Sequence, residues 1–182
     1  MDGAVASPGQ DPQLFEQTLL PHMDAAYNLA RWLLRNEHDA EDAVQEAFVR
    51  AFQSFARFRG GDGRAWLLTI VRNLCYTRLR RQIGKEPAEP FDEALHGATN
   101  EAADSAERLR REAQGEQLQA ALEKLPEEFR EVLVLHELEE LSYKEIATVI
   151  GVPVGTVMSR LSRARQRLQR TLTAGKESPH GL

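Results

Sequence analysis

The stretch from Leu141 to Leu172, LSYKEIATVIGVPVGTVMSRLSRARQRLQRTL, contains the strongest structural signals in the chain. Ser142 and Glu145 have the S-x-x-E spacing of a capping box, which starts a helix by satisfying its first backbone N–H groups. Gly151 indicates the end of that short helix, because glycine adopts a left-handed backbone without steric cost. Pro153 then suits the first position of a second helix, where its missing N–H costs nothing. The stretch therefore predicts two helices joined by a tight turn.

The second of these helices has one apolar and one basic face. Apolar residues three or four positions apart predict one buried seam, namely Val157, Leu161, Ala164, Leu168 and Leu172. The opposite face carries Gly155, Ser159, Ser162, Arg163, Gln166 and Arg170. Five arginines and no acidic residue lie between positions 153 and 172. Arginine and serine on an outer face are typical of a helix that reads the DNA major groove, so we predict a helix-turn-helix. A solvated helix at the end of a bundle is the alternative, but it does not account for the capping box.

The charges of the chain are segregated along its length. The 182 residues carry a formal net charge of −5 at pH 7. Six basic residues and no acid lie between positions 64 and 85, whereas seven acids and no lysine or arginine lie between 86 and 107. Five further acids fall between positions 37 and 46. Such segregation predicts at least three surfaces with different partners.

Cysteine and histidine content limits the chemistry that the chain can perform. Cys75 is the single cysteine, which excludes an internal disulfide and a multi-cysteine zinc cluster. The five histidines, His22, His38, His96, His136 and His180, have no metal-ligand spacing. Neither a secretory signal pattern nor a run of ~18 apolar residues is present, so we expect a cytoplasmic protein. We predict no enzyme activity, no metal, no cofactor and no small-molecule substrate.

Periodicity and composition divide the chain into five segments. Residues 1–11 are expected to be a disordered tail, and 12–83 a first helical module. Residues 84–105 carry prolines and many acids, which predicts a flexible linker. Residues 106–173 are expected to be a second helical module, followed by a tail at 174–182. The predicted fold class is therefore all-α, with two small helical modules joined by a flexible acidic linker.

Within the first module, Pro21 predicts a kink or a break between two helices, and Asp39 a helix N-cap. The outer face and edge of the helix that follows combine polar and apolar residues: Asp42, Gln45, Glu46, Val49 and Phe52. Exposed Val and Phe among carboxylates indicate a protein-docking face. In the second module, Pro126 predicts the start of a helix that runs to about residue 140.

A glycine-rich loop, FRGGDGR at positions 58–64, precedes a helix in which basic residues alternate with Trp66 and Tyr76. Aromatic and basic side chains beside a flexible loop are typical of a surface that binds single-stranded nucleic acid. The alternatives are a plain turn between helices and, for Trp66, a place in the core.

Three segments together closely resemble a bacterial extracytoplasmic-function (group 4) RNA polymerase sigma factor. They are DAEDAVQEAFVRAF, FRGGDGRAWLLTIVRNL and LEKLPEEFREVLVLHELEELSYKEIATVIGVPVGTVMSRLSRAR, in that order. The resemblance implies a region 2-like bundle and a region 4-like helix-turn-helix on one chain. It also implies a promoter-specificity subunit that directs core RNA polymerase to particular promoters, in a stress or envelope response.

The same resemblance implies a role for each surface. The docking face would bind the clamp coiled coil of the polymerase, and the polymerase flap is a further expected contact. Duplex minus-35 DNA would be bound by Ser159, Arg160, Ser162, Arg163 and Arg167. The melted minus-10 strand would be bound by Arg59, Gly60, Gly61, Asp62, Arg64, Arg72, Asn73 and Tyr76. An anti-sigma factor is an expected further partner. From the residues alone a stand-alone dimeric helix-turn-helix regulator stays open, although it leaves the acidic docking face without a use.

Overall fold

The computed structural model describes residues 11–82 and 105–176. Within these residues there are eight α-helices: α1 Pro12–Leu19, α2 Met23–Leu34, α3 Glu37–Ser54, α4 Gly63–Gln82, α5 Ser105–Glu123, α6 Glu127–Leu133, α7 Tyr143–Ile150 and α8 Val154–Lys176. The predicted all-α fold class is confirmed. The predicted tail at 1–11 and the predicted linker at 84–105 lie outside the described residues, except for the last residue of each. Asp11, the last residue of that tail, is the N-cap of α1. Helix α8 continues to Lys176, so it enters the segment predicted as a tail.

Helix boundaries in the first module follow local backbone chemistry. Of the two alternatives predicted at Pro21, a kink or a break, the structure has the break, because a 3-10 turn at Leu20–His22 separates α1 from α2. Arg35 ends α2 in the left-handed conformation, at φ 56°. The prediction that Asp39 caps α3 is wrong. Asn36 is the N-cap, and its side-chain oxygen accepts a hydrogen bond from the Asp39 backbone N–H at 2.9 Å.

Small residues on α3 allow the first module to pack closely. Ala40, Ala43, Ala47 and Ala51 are all fully buried, and α3 lies against both α2 and α4. The larger volume is filled by aromatic rings, with Phe15 meeting Phe48, Phe52 and Phe55 edge to face. This core holds the outer face of α3 and the start of α4 in fixed positions.

The second module contains one departure from the predicted helices. The segment predicted as a single helix from Pro126 to residue 140 is α-helical only through Leu133. It then widens into a π-helical turn at Val134–Leu138. Glu139 and Glu140 follow, with Glu140 at φ 52°, and turn the chain toward α7. A π-turn shifts the register of the following side chains, and such turns often occur at functional sites.

The helix-turn-helix forms as its caps predict. Glu145 N donates to Ser142 Oγ at 3.3 Å, and Ser142 N donates to Glu145 Oε2 at 2.7 Å, which completes the capping box. These bonds from Ser142 hold the pKa of the Glu145 carboxyl below its ordinary value. Gly151 ends α7 in the left-handed conformation at φ 70°. Helix α8 begins at Val154, one residue later than predicted, with Pro153 immediately before it.

The two modules pack against each other. Helix α4 of the first lies along α7 of the second, and α2 lies against α6. Arg130, fully buried in α6, donates to the backbone oxygens of Leu122, Glu123 and Leu125 in its own module and of Trp32 in the other. Burial lowers the pKa of Arg130 to about 10, which still leaves the guanidinium charged at neutral pH.

Candidate nucleic-acid interface

The predicted reading face of α8 is open to solvent. Val157, Leu161 and Ala164 of the predicted seam are buried, whereas Leu168 and Leu172, farther along α8, are only partly buried. Every residue predicted to lie opposite the seam is exposed, namely Gly155, Ser159, Ser162, Arg163, Gln166 and Arg170. Because the apolar face of α8 packs against the core, the serine and arginine side chains on its opposite face point to solvent.

The arginines beside this face contact neighbouring groups. Arg160 lies 3.5 Å from Glu128 and 3.7 Å from Glu131. The guanidinium of Arg165 donates through two nitrogens to Glu137 Oε1, at 2.7 and 3.1 Å. The Arg167 guanidinium lies 4.8 Å from the centre of the Phe129 ring. These contacts orient the flanking cations, so the structure places Arg160 and Arg167 at the edge of the exposed face rather than at its centre.

The glycine-rich loop combines an unusual backbone with a helix cap. Gly60 and Gly61 have φ values of 83° and 95°, which residues with side chains rarely adopt. Asp62 Oδ1 accepts a hydrogen bond from Ala65 N at 3.1 Å and so caps α4. Gly63 is buried, and a Cβ there would lie 2.7 Å from Thr18 Cγ2. Gly63 thus lets the loop approach α1, while the two preceding glycines allow it to turn.

A cavity of about 560 Å³ lies beside this loop. The ring centroids of Phe58 and Trp66 are 4.9 Å apart in its wall, and Arg59 and Gly60 also line it. Because Phe58 and Trp66 are only half-buried, their rings offer apolar surface to an unstacked base. Helix α7 of the second module closes part of the opening with Lys144, Glu145 and Thr148.

Farther along α4, Arg72 forms an ion pair with the second module. Its Nε and Nη2 donate to the two carboxylate oxygens of Glu131, at 2.8 and 3.1 Å. Burial by itself would lower the pKa of Arg72, but the hydrogen bonds and charge of Glu131 outweigh it and raise the pKa. The Arg72 guanidinium also lies 4.5 Å from the centre of the Tyr76 ring. Burial, aided by the charge of Glu131, raises the pKa of Tyr76 well above its ordinary value. Asn73 is exposed.

A second ion pair joins the start of α4 to the end of the π-turn. Arg64 Nη2 lies 2.9 Å from Glu139 Oε2, and it also donates to the Glu139 backbone oxygen. Asn28 of α2 donates to the other carboxylate oxygen of Glu139 at 2.9 Å. Two of the cations predicted to bind the minus-10 strand therefore bind carboxylates of the second module.

The predicted docking face on α3 is open, although its acids differ in their surroundings. Val49 is 57% exposed, which leaves its apolar surface available to a partner. Glu46 binds Arg50 at 2.5 Å and Arg78 at 3.0 Å, and the hydrogen bond from Arg78 holds its pKa below the ordinary value. Within the described part of the chain, the ion-pair contact of Asp42 is a long one, 3.9 Å to His38. Gln45 is exposed, and Phe52 is partly buried against Phe15.

Sequence reasoning missed Arg130, Glu131 and Glu139, all of which are buried. The available signal was the position of Arg130 and Glu131 between Phe129 and Val132, inside a run of core residues. Charged side chains at such positions are seldom buried unless they are paired. That pattern indicates a polar contact within the core, but it does not identify the partner.

The chain matches two protein families over separate parts of its length. Residues 19–83 match Sigma-70 region 2, and residues 115–168 match Sigma-70, region 4. The two matches contain the loop and α4 in one case and the helix-turn-helix in the other. Together they define a sigma factor of the sigma-70 class.

Relatives and solved structures specify the group. The ECF RNA polymerase sigma factor SigE of Mycolicibacterium smegmatis is 39% identical over 155 residues, which cover 85% of this chain and 60% of SigE. SigW of Bacillus subtilis, also an ECF RNA polymerase sigma factor, is 32% identical over 89% of this chain and 90% of SigW. The sigma factor RpoE in complex with the anti-sigma factor NepR, from Bartonella quintana, superposes with a TM-score of 0.72 at 30% identity. That match covers 88% of this chain and 98% of RpoE. The chain belongs to the ECF RNA polymerase sigma factor family.

The described residues also bear on membrane association. Among them, no helix is both long enough and apolar enough to cross a bilayer.

Proposed function

We propose that this sigma factor divides promoter recognition between its modules, with 106–173 binding the minus-35 element as duplex and 12–83 binding core polymerase and the melted minus-10 strand. As a sigma factor it directs RNA polymerase to promoters and acts as an initiation factor, without catalytic chemistry of its own. The observation that carries the division is the exposed face of α8, which is separate from the loop and cavity of the first module.

The minus-35 assignment rests on the geometry of α8. Ser159, Ser162 and Arg163 project from its N-terminal half, the half that enters the major groove in helix-turn-helix proteins. Arg160 and Arg167 lie along one side of that row, where phosphate oxygens of one strand would lie. Arginine binds phosphates and base edges through paired N–H donors.

The minus-10 assignment rests on the loop, the cavity and α4. Phe58 and Trp66 offer ring surface for stacking, and backbone at Gly60 and Gly61 can approach a base closely. The exposed side chains of Arg59 and Asn73 extend this surface on either side. Arg64, Arg72 and Tyr76 belong to the same face of the first module once their contacts to the second module are released.

Docking on core polymerase is assigned to the outer face of α3. Asp42 and Val49 are the clearest candidates. Among the described residues, Asp42 forms no close ion pair, and Val49 exposes more than half of its apolar surface. An acidic and apolar surface suits a basic coiled coil such as the clamp of the largest subunit, while the second module would meet the flap. An anti-sigma factor, of the kind bound by RpoE in the Bartonella complex, would compete for these surfaces. The regulon is proposed to serve an envelope or stress response, in keeping with the family name.

Charge reversal of Asp42 tests the docking assignment. Asp42→Lys is preferable to reversal of Glu46, because a lysine at 46 would also repel Arg50 and Arg78. We expect Asp42→Lys to weaken binding to core polymerase roughly tenfold, since a complementary charge becomes a repulsive one. The yield of run-off transcript should fall by a similar factor when the concentration of the sigma factor is limiting.

The matched control is Glu16→Lys, an exposed acid on α1 of the same module. It changes the net charge by the same amount but lies outside the proposed docking face. Equal losses for both variants would indicate a general charge effect, and unchanged core binding by Asp42→Lys would remove the docking assignment.

A further inference from the structure

The second module covers the part of the first module to which the minus-10 strand is assigned. Helix α7 lies along α4, and its Lys144 and Thr148 line the cavity beside Phe58 and Trp66. A base could not enter that cavity from the side that α7 occupies. The reading face of α8, in contrast, stays exposed in the same arrangement.

Among the described residues, two ion pairs cross this contact, and both use cations of the minus-10 surface. Arg72 binds both oxygens of Glu131, whose side chain is fully buried. Arg64 binds Glu139, whose side chain is only 7% exposed. Carboxylates so shielded from water interact more strongly with a cation and are screened less by salt than surface groups. Each occupies the guanidinium donors that a phosphate would otherwise accept from.

We propose that the second module is an internal competitor for the melted strand, with the Glu131 and Glu139 carboxylates in place of two DNA phosphates. The inference rests on the proposed function, because it takes Arg64 and Arg72 as strand-binding cations. Free protein in this closed state binds duplex through α8 but not single-stranded DNA through α4. Only the open fraction binds the strand, so the apparent affinity is reduced by that fraction.

The closed state makes a prediction about molecular dimensions. Glu131→Gln with Glu139→Gln keeps the size of both side chains and removes both charges, and neither residue belongs to the proposed DNA-binding set. Small-angle X-ray scattering of the full chain should show a larger radius of gyration for this double variant. Its affinity for a fluorescent pool of randomised single-stranded DNA should rise about tenfold, as when a minor open state becomes the major one.

Three further variants make the result specific. Glu137→Gln removes a carboxylate that contacts Arg165 inside the second module, so it should change neither the dimensions nor strand binding. Glu139→Gln alone should act in the same direction as the double variant, and it leaves Glu131 in contact with Arg160. Glu139→Arg should open the protein by repelling Arg64, and adding Arg64→Glu should restore the compact dimensions.

The outcomes separate this inference from the proposed function. Dimensions that do not change in the double variant or in Glu139→Arg would overturn the claim that these two carboxylates hold the closed state. Opening without a gain in strand affinity would overturn the competition between carboxylates and DNA. Failure of the proposed function would be seen in a different measurement. Run-off transcription with core polymerase would then be unchanged by substitutions at Asp42 and on the exposed face of α8.

Discussion

Arg130 of α6 donates from Nη1 to the backbone oxygen of Trp32 in α2, at 2.9 Å, and so joins two segments 98 residues apart in the chain. The same guanidinium satisfies the carbonyl oxygens at the end of α5 and in the loop before α6. Helices end with carbonyl groups that lack partners, and a buried end needs a donor. Arg130 supplies that donor for the second module and also fastens it to the first.

Replacement of Arg130 by methionine should therefore destabilise the protein. Methionine fills similar volume, but the carbonyl oxygens of Leu125 and Trp32 lose this donor, whereas that of Leu122 keeps its bond from Leu125 N. A buried unsatisfied group costs about 1–3 kcal/mol, so we expect the free energy of unfolding to fall by about 3 kcal/mol once part of the loss is recovered by water. Urea unfolding followed by circular dichroism measures the change. Arg170→Met, at an exposed position of α8, is the control, and an equal loss there would contradict the assignment.

The capping box should make α7 sensitive to acid. Ser142→Ala removes the side chain that accepts from Glu145 N and should cost about 1 kcal/mol at neutral pH. The pKa of Glu145 is lower in the folded protein, so its stabilising contribution is present above the ordinary pKa of about 4.3 and is lost as pH falls through the lower folded value. Melting temperatures of wild type and Glu145→Ala should accordingly converge as the pH falls through the lowered pKa of the folded protein. Ser162→Ala, at an exposed position in the middle of α8, is the control. The difference between its melting temperature and that of wild type should not change with pH.

Two glycines should respond in opposite ways to the same substitution. Gly63→Ala places a methyl group 2.7 Å from Thr18 Cγ2 and 3.2 Å from the Thr18 backbone oxygen, so something must move. Overpacking of this kind costs about 1–3 kcal/mol. A Cβ at Gly155 meets nothing within 4 Å, and alanine is favoured over glycine in a helix by about 0.5–1 kcal/mol. Thermal unfolding should show a loss for Gly63→Ala and a gain for Gly155→Ala; a gain for both would mean that α1 is not held against the loop.

Reading of DNA sequence should be separable from general attraction to DNA. Arg163→Ala, assayed as holoenzyme, should cost roughly 1–3 kcal/mol and relax preference at one base pair of the minus-35 element. Arg170 is also exposed but lies two turns farther along α8. Arg170→Ala should therefore weaken binding to all DNA sequences equally. It should also reduce the slope of log affinity against log salt concentration by about one unit. Selection from randomised minus-35 sequences measures both. An altered preference for Arg170→Ala would mean that a different part of α8 enters the groove.

The helix-turn-helix was predictable because its determinants are local. A capping box, a left-handed glycine and a periodic seam each act within a few residues, and all three occur in the structure. The same locality explains the errors. Asn36 and Asp39 both suit an N-cap, and only the backbone at Asn36, extended at φ −137°, decides between them. The π-turn at Val134–Leu138 has no comparable sequence signature.

The amino-acid sequence by itself determined the helix-turn-helix, the basic face of α8, the glycine loop and the acidic face of α3. Each of these features follows from side-chain periodicity or from a backbone preference. Both causes act between residues that are close in the sequence, so distant neighbours are not needed to predict them. Tertiary structure alone decided which cations are free to bind DNA. Arg72 meets Glu131 across 59 residues and Arg64 meets Glu139 across 75, so these pairs exist only where the two modules touch. A charge pair depends on distance and on exclusion of water, and both are properties of the packed interface rather than of either segment.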